Sequence, residues 1–115
     1  MISKVFVEAV ERHVGRAAME DTIANMKAPP GRRLSPEVKA HSDWYNVLST
    51  TDAAHVERSI AAAVHATLFG LLAVLDGART IDDENGRFEL NYLTDQRTLL
   101  NPSTIDLHDL LSDWS

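Results

Sequence analysis

The chain has 115 residues, of which 44% are hydrophobic and 24% charged, with a formal net charge of −6 and no cysteine. That composition fits one globular domain of ordinary size. The lack of cysteine excludes disulfides, thiolate zinc sites and cysteine nucleophiles.

The charge is unevenly spread. Residues 1–50 carry seven Lys/Arg against six Asp/Glu, a balance of +1, whereas residues 51–115 carry four Arg against eleven Asp/Glu, a balance of −7. An acidic surface of this kind repels nucleic acid and anionic lipid and attracts basic proteins. The opening MISKVFVEAVERHVGRA brings charges in too early for the apolar run of a signal peptide, so a cytoplasmic setting is expected.

In chain order, Ser3 to Met26 reads as one long helix or a broken pair, with Ser3 as N-cap, Phe6, Val10, Val14 and Ala17 on one stripe, and Met19, Ile23 and Met26 continuing it. Gly15 is where such a helix could kink, and Glu8 and Arg12 can pair at i, i+4. Ala28-Pro29-Pro30-Gly31-Arg32-Arg33 breaks the helix, since two prolines and a glycine cannot continue it. Ser35-Pro36-Glu37 then opens a second helix to about Leu48, with Trp44, Val47 and Leu48 as its expected core residues and Tyr45 beside them.

The strongest helix signal spans Asp52 to Gly77. Val56, Ile60, Val64, Leu68, Leu71 and Leu75 recur at spacings of four and three. Asp52 is placed as N-cap and Gly77 as the left-handed C′ residue. Leu68 to Leu75 is apolar all round, so these last turns are expected to be covered from several sides. From Ile60 to Leu75 the run is roughly 24 Å long at ~1.5 Å per residue, short of the ~30 Å hydrocarbon core, and a buried core helix rather than a membrane span is expected. Gly70 inside it marks the close approach of another element.

After this helix the period changes to two. Asn85-Gly86 signals a tight hairpin leading into a strand from Arg87 to Leu93. Thr94 to Arg97 forms a second turn, Thr98-Leu99-Leu100 a further strand ended by Asn101-Pro102, and Thr104 to Asp113 a short helix. The expected fold class is α+β: three N-terminal helices with a long central core helix, then a small antiparallel β-meander and a short C-terminal helix in a single domain, 1–115.

No local pattern carries catalysis or a cofactor. The chain lacks a GxSxG elbow, a phosphate loop, a dinucleotide fingerprint and an HExxH motif. No cofactor and no metal are therefore expected, and a site built from distant histidines would not show at this level.

Asp76 is the oddest position, a carboxylate at the negative end of a helix dipole, which Arg79 could offset. Together with Asp82, Asp83, Glu84 and Glu89 it otherwise forms an acidic patch. DDENG has the oxygen-rich look of a divalent-cation loop but lacks calcium-loop spacing. Recognition of a basic protein partner is the other reading of the patch.

Leu71-Leu72-Ala73-Val74-Leu75-Asp76-Gly77, Glu89-Leu90-Asn91-Tyr92, Leu99-Leu100-Asn101 and Leu107-His108-Asp109 are similar to stretches of small bacterial proteins. In size and acidity those proteins resemble the immunity proteins that accompany bacterial toxins. The likeness covers the second half of the chain. Immunity proteins share a role rather than one motif, so it brings no site residues with it. What it implies is a small, non-catalytic, cytoplasmic module that neutralises a basic toxin. The alternative is a homodimeric structural or accessory protein, and neither reading involves nucleic acid or membrane.

Overall fold

The structure, a computed structural model, describes residues 1–114. It is an α+β arrangement, mostly helical, with one two-stranded antiparallel sheet and a short 3₁₀ turn near the C-terminus. The helices are α1 (Ser3–Val10), α2 (Ala17–Lys27), α3 (Pro36–Asn46) and α4 (Thr50–Leu75). The strands are β1 (Asn91–Leu93) and β2 (Arg97–Leu99), and the 3₁₀ turn is Leu107–Leu110.

A six-residue π segment, Glu11–Arg16, joins α1 to α2 with helical dihedrals at both ends, so residues 3–27 form one continuous helix rather than a pair kinked at Gly15. The reason lies across the interface. A Cβ placed on Gly15 would sit 2.6 Å from Leu68 Cδ1 and 2.8 Å from the Trp114 indole. The glycine lets α4 and the C-terminal segment approach, and the π segment accommodates the local change in winding. The buried face of this helix holds Ser3, Val7, Gly15 and Met26, while Val14 of the expected stripe is exposed. Ser3 is not an N-cap: its hydroxyl donates to Leu100 O at 2.7 Å and ties the first turn to the end of the sheet. Glu8 faces Lys4 at 3.9 Å rather than Arg12.

Helix α3 starts as its sequence dictates, with Ser35 Oγ accepting from Val38 N and Pro36 in the first turn. Its inward face is one residue further round than expected. Tyr45 is buried and donates to Glu57 Oε1 of α4 at 2.9 Å, which turns Trp44 and Val47 outward, the latter 81% exposed.

Helix α4 begins earlier than the Asp52 cap predicted. Ser49 caps it, accepting from Asp52 N, and Asp52 lies in the first turn where its charge meets the positive end of the dipole. Its other end closes in a Schellman motif. Gly77 has φ +77°, Ala78 N donates to Ala73 O and Gly77 N to Val74 O. Gly70 does receive a neighbour, since Arg79 Nη1 lies 2.5 Å from where its Cβ would be.

The expected all-round cover of Leu68–Leu75 is absent. Leu68, Gly70, Leu72 and Ala73 are buried, but Leu71 is 58% exposed and Phe69 is also open to solvent. By length and composition, with mean hydropathy 1.7 and only 22% of its apolar window buried, this 26-residue helix is long and apolar enough to cross a membrane. The ten helical residues before Ile60 include Asp52, Glu57 and Arg58, so the charge-free apolar run remains the 16 residues from Ile60 to Leu75.

The meander shrinks to one hairpin. Asn91 pairs with Leu99, Tyr92 with Thr98 and Leu93 with Arg97. Residues 80–90 are irregular, and positive φ is confined to Gly31 and Gly77 among the described residues. Asn85-Gly86 therefore does not make a type I′ turn. Pairing residues 79–82 with 89–92 would have set Asp82 against Glu89, a like-charge opposition that weakens such a hairpin.

The core is small: Val7 of α1, Leu72 of α4 and Leu107 of the 3₁₀ turn, with Leu75, Leu110 and Leu111 packed against them. The C-terminal segment is held from both sides. Ser112 N and Oγ donate to the Glu11 carboxylate at 2.8 and 2.7 Å, His65 Nε2 bonds Ser112 O, and the Arg16 guanidinium lies 4.8 Å from the centre of the Trp114 ring.

Two measurements probe these ties. Replacing Gly15 by Ala should lower stability by about 1–2 kcal/mol in urea unfolding, because overpacking outweighs the ~1 kcal/mol gain in helix propensity. A stabilised G15A protein would contradict the close approach. At Glu11, burial raises the pKa, but the hydrogen bonds from the Ser112 hydroxyl and main chain outweigh it and hold the carboxyl below the ordinary value of 4.5. A depressed folded-state pKa adds stability above the unfolded value, and that stability is lost as pH falls through the folded one. The difference in melting temperature between the native chain and Glu11→Gln should therefore be largest near neutrality and shrink as pH drops below 4.5.

Candidate functional site

The densest polar construction lies where α4 ends. Four backbone carbonyls at a helix C-terminus lack intrahelical partners, and here a side chain from the far end of the sheet serves one of them. Asn101, 3% exposed, donates through Nδ2 to Leu75 O at 2.7 Å and to Phe88 O at 2.9 Å. Its Oδ1 accepts from Leu90 N at 2.8 Å, and its main-chain carbonyl accepts from Arg87 Nη2 at 2.8 Å. One amide thus caps the helix, anchors the irregular segment at Phe88 and Leu90, and sets the approach to β1.

Asp76, the next residue along α4, is the second part. Its side chain is fully buried. Oδ2 accepts two bonds, from His108 N at 2.9 Å and from His108 Nδ1 at 2.7 Å, while Oδ1 is buried with no hydrogen-bond partner among the described residues. Burying a carboxylate at the negative end of a dipole is costly unless it is paired, and His108 is the pairing group. Phe69 of α4 holds the imidazole edge-on at 5.2 Å. The expected offset by Arg79 is thus replaced: Arg79 lies back over Gly70, and a histidine 32 residues away takes its role.

Beside this pair lies a cleft of about 310 Å³, lined among others by Asp76, Arg79, Ile81, Arg87, Phe88 and Asp106. One donor atom each from Asp76, Asp106 and His108 lies within 4.8 Å of the other two.

Of the five acidic residues expected to act together, Asp76, Asp82 and Glu84 line this cleft, whereas Asp83 and Glu89 do not. Asp82, Asp83, Glu84 and Glu89 are exposed along the irregular segment, where Asp82 Oδ1 accepts from Glu84 N. Asp76 faces inward and cannot present its charge to a docking protein. The contacts that matter most, Asn101 and His108 against the end of α4, join residues 26 and 32 positions apart. The one local sign of them was the misplaced carboxylate itself.

No protein-family model, curated protein or solved structure matches the chain.

Removing the Asn101 amide leaves buried carbonyls and an N–H unserved, each worth about 1–3 kcal/mol. Asn101→Ala should therefore cost about 2–4 kcal/mol in denaturant unfolding. A loss below about 1 kcal/mol would show that these bonds are not made together.

Proposed function

We propose that this chain is a small non-catalytic protein-binding module, acting in the cytoplasm as an immunity-type protein against a basic partner. The observation that carries the reading is an excess of surface. The chain exposes 8333 Å², whereas a compact monomer of 12.7 kDa is expected to expose about 6,200 Å². Its radius of gyration is 18.3 Å, against about 13 Å for a compact domain of this length. The difference of about 2,100 Å² exceeds the ~800 Å² that each partner buries in a standard interface.

Charge selects the partner. The exposed acids Asp82, Asp83, Glu84 and Glu89 alternate along the irregular segment with Ile81 and Phe88, which are 64% and 47% exposed. Apolar anchors among carboxylates suit a basic surface that offers an apolar pocket, with the charges steering encounter and choosing the partner.

A second reading, a homodimeric accessory protein, draws support from apolar side chains away from the acids. Trp44 and Val47 on α3 and Leu71 on α4 stand in solvent, and a second copy could cover them.

Tagged chain expressed in its native host, alongside the triple variant Asp82→Lys, Asp83→Lys, Glu84→Lys, separates the two. A basic protein that the native chain retains, and that the variant or high salt releases, is the expected result. Self-association unaffected by the charge reversal favours the homodimer. A strict monomer at high concentration with no retained partner contradicts both.

A further inference from the structure

We propose that Asp76, Asp106 and His108 form a binding site for a divalent transition-metal ion of the zinc class beside the end of α4. Three donor atoms, two carboxylate oxygens and one imidazole nitrogen, lie within 4.8 Å of one another. Donors around a four-coordinate zinc stand about 3.4 Å apart, given metal–ligand bonds of about 2.1 Å. The set is therefore slightly open, and Asp106, exposed on the cleft wall, is the member free to close it by a change of rotamer.

Asp76 supplies an independent sign that a ligand belongs here. Its side chain is fully buried, yet Oδ1 has no hydrogen-bond partner among the described residues. An acceptor shut off from water and left unserved is costly, and a cation beside it removes that cost. An ion taking His108 Nδ1 displaces that nitrogen's proton to solvent and replaces its bond to Oδ2, while the His108 main-chain N–H still donates to Oδ2 and keeps the carboxylate oriented.

Ligand chemistry narrows the ion. An imidazole beside two carboxylates suits zinc or its first-row neighbours, whereas calcium and magnesium prefer oxygen-only shells. With three protein donors and a cleft in front, the remaining position stays open to water or to a small ligand. Such an ion would also join the C-terminal end of α4 to the 3₁₀ turn, so its binding stabilises the folded chain.

The experiment is calorimetric titration of ZnCl₂ into the full chain after chelator treatment, with CaCl₂ in parallel. One equivalent of Zn²⁺ should bind with an affinity on the order of micromolar or tighter, and Ca²⁺ should bind more weakly. Asp106→Ala should weaken Zn²⁺ binding by at least about tenfold. Asp109→Ala, at an exposed carboxylate 3.5 Å from His108 Nε2 but outside the three donors, should change it by less than about threefold. Both substitutions fall on exposed residues, and far-ultraviolet circular dichroism checks that each variant is folded. The proposal is overturned by the absence of saturable Zn²⁺ binding, by an Asp106→Ala protein that binds as the native chain does, by Asp109→Ala losing affinity as much as Asp106→Ala, or by tighter binding of Ca²⁺ than of Zn²⁺.

Discussion

At the C-terminal end of α4 the Schellman turn serves Ala73 O and Val74 O, and polar side chains from the last third serve what it leaves, the Leu75 carbonyl and the buried Asp76 carboxylate. Asn101 serves Leu75 O, and His108 serves the carboxylate of Asp76. Much of the C-terminal third takes its place from these bonds. Asn101 also holds Phe88 and Leu90, which positions the chain entering β1. His108 holds the 3₁₀ turn, and Leu107 beside it fills the core between Val7 and Leu72. The apolar core is too small to organise this region alone. A few buried, directional bonds supply what area does not.

The same economy of core shapes the rest of the molecule. Helices α3 and α4 are joined through a single Tyr45–Glu57 bond and modest packing, and the molecule extends over 49 × 29 × 27 Å. Apolar side chains that a compact domain would bury remain in solvent. Exposed apolar surface of this extent is the observation on which the proposed binding role rests. It gives physical content to the reading of the protein as a binding module.

Much of the helical architecture was legible in sequence, because capping and breaking are local. Ser35-Pro36 started α3 and Gly77 ended α4 where their backbone requirements placed them. Helix faces were less legible. In α1 and α3 the buried side is rotated by about one residue, since it is set by what packs against the helix and not by apolar spacing alone: Ser3 and Gly15 are buried through Leu100, Leu68 and Trp114, and Tyr45 through Glu57. The Asn85-Gly86 hairpin failed because a turn signal does not carry strands whose facing side chains repel. At the candidate site, the displaced carboxylate Asp76 stood out in the sequence. Its partner His108 could not be inferred, since a contact across 32 residues leaves no periodic trace.

Native-state hydrogen exchange of the Leu90 and His108 amides measures the central claim most directly. Both N–H groups donate to buried side chains, Leu90 to Asn101 Oδ1 and His108 to Asp76 Oδ2. Both lie outside the paired strands and the regular helices, where backbone amides otherwise exchange quickly. If the end of α4 organises the C-terminal third, the two amides are protected, and with similar opening free energies. Rapid exchange at either amide, or protection that differs widely between them, would contradict it.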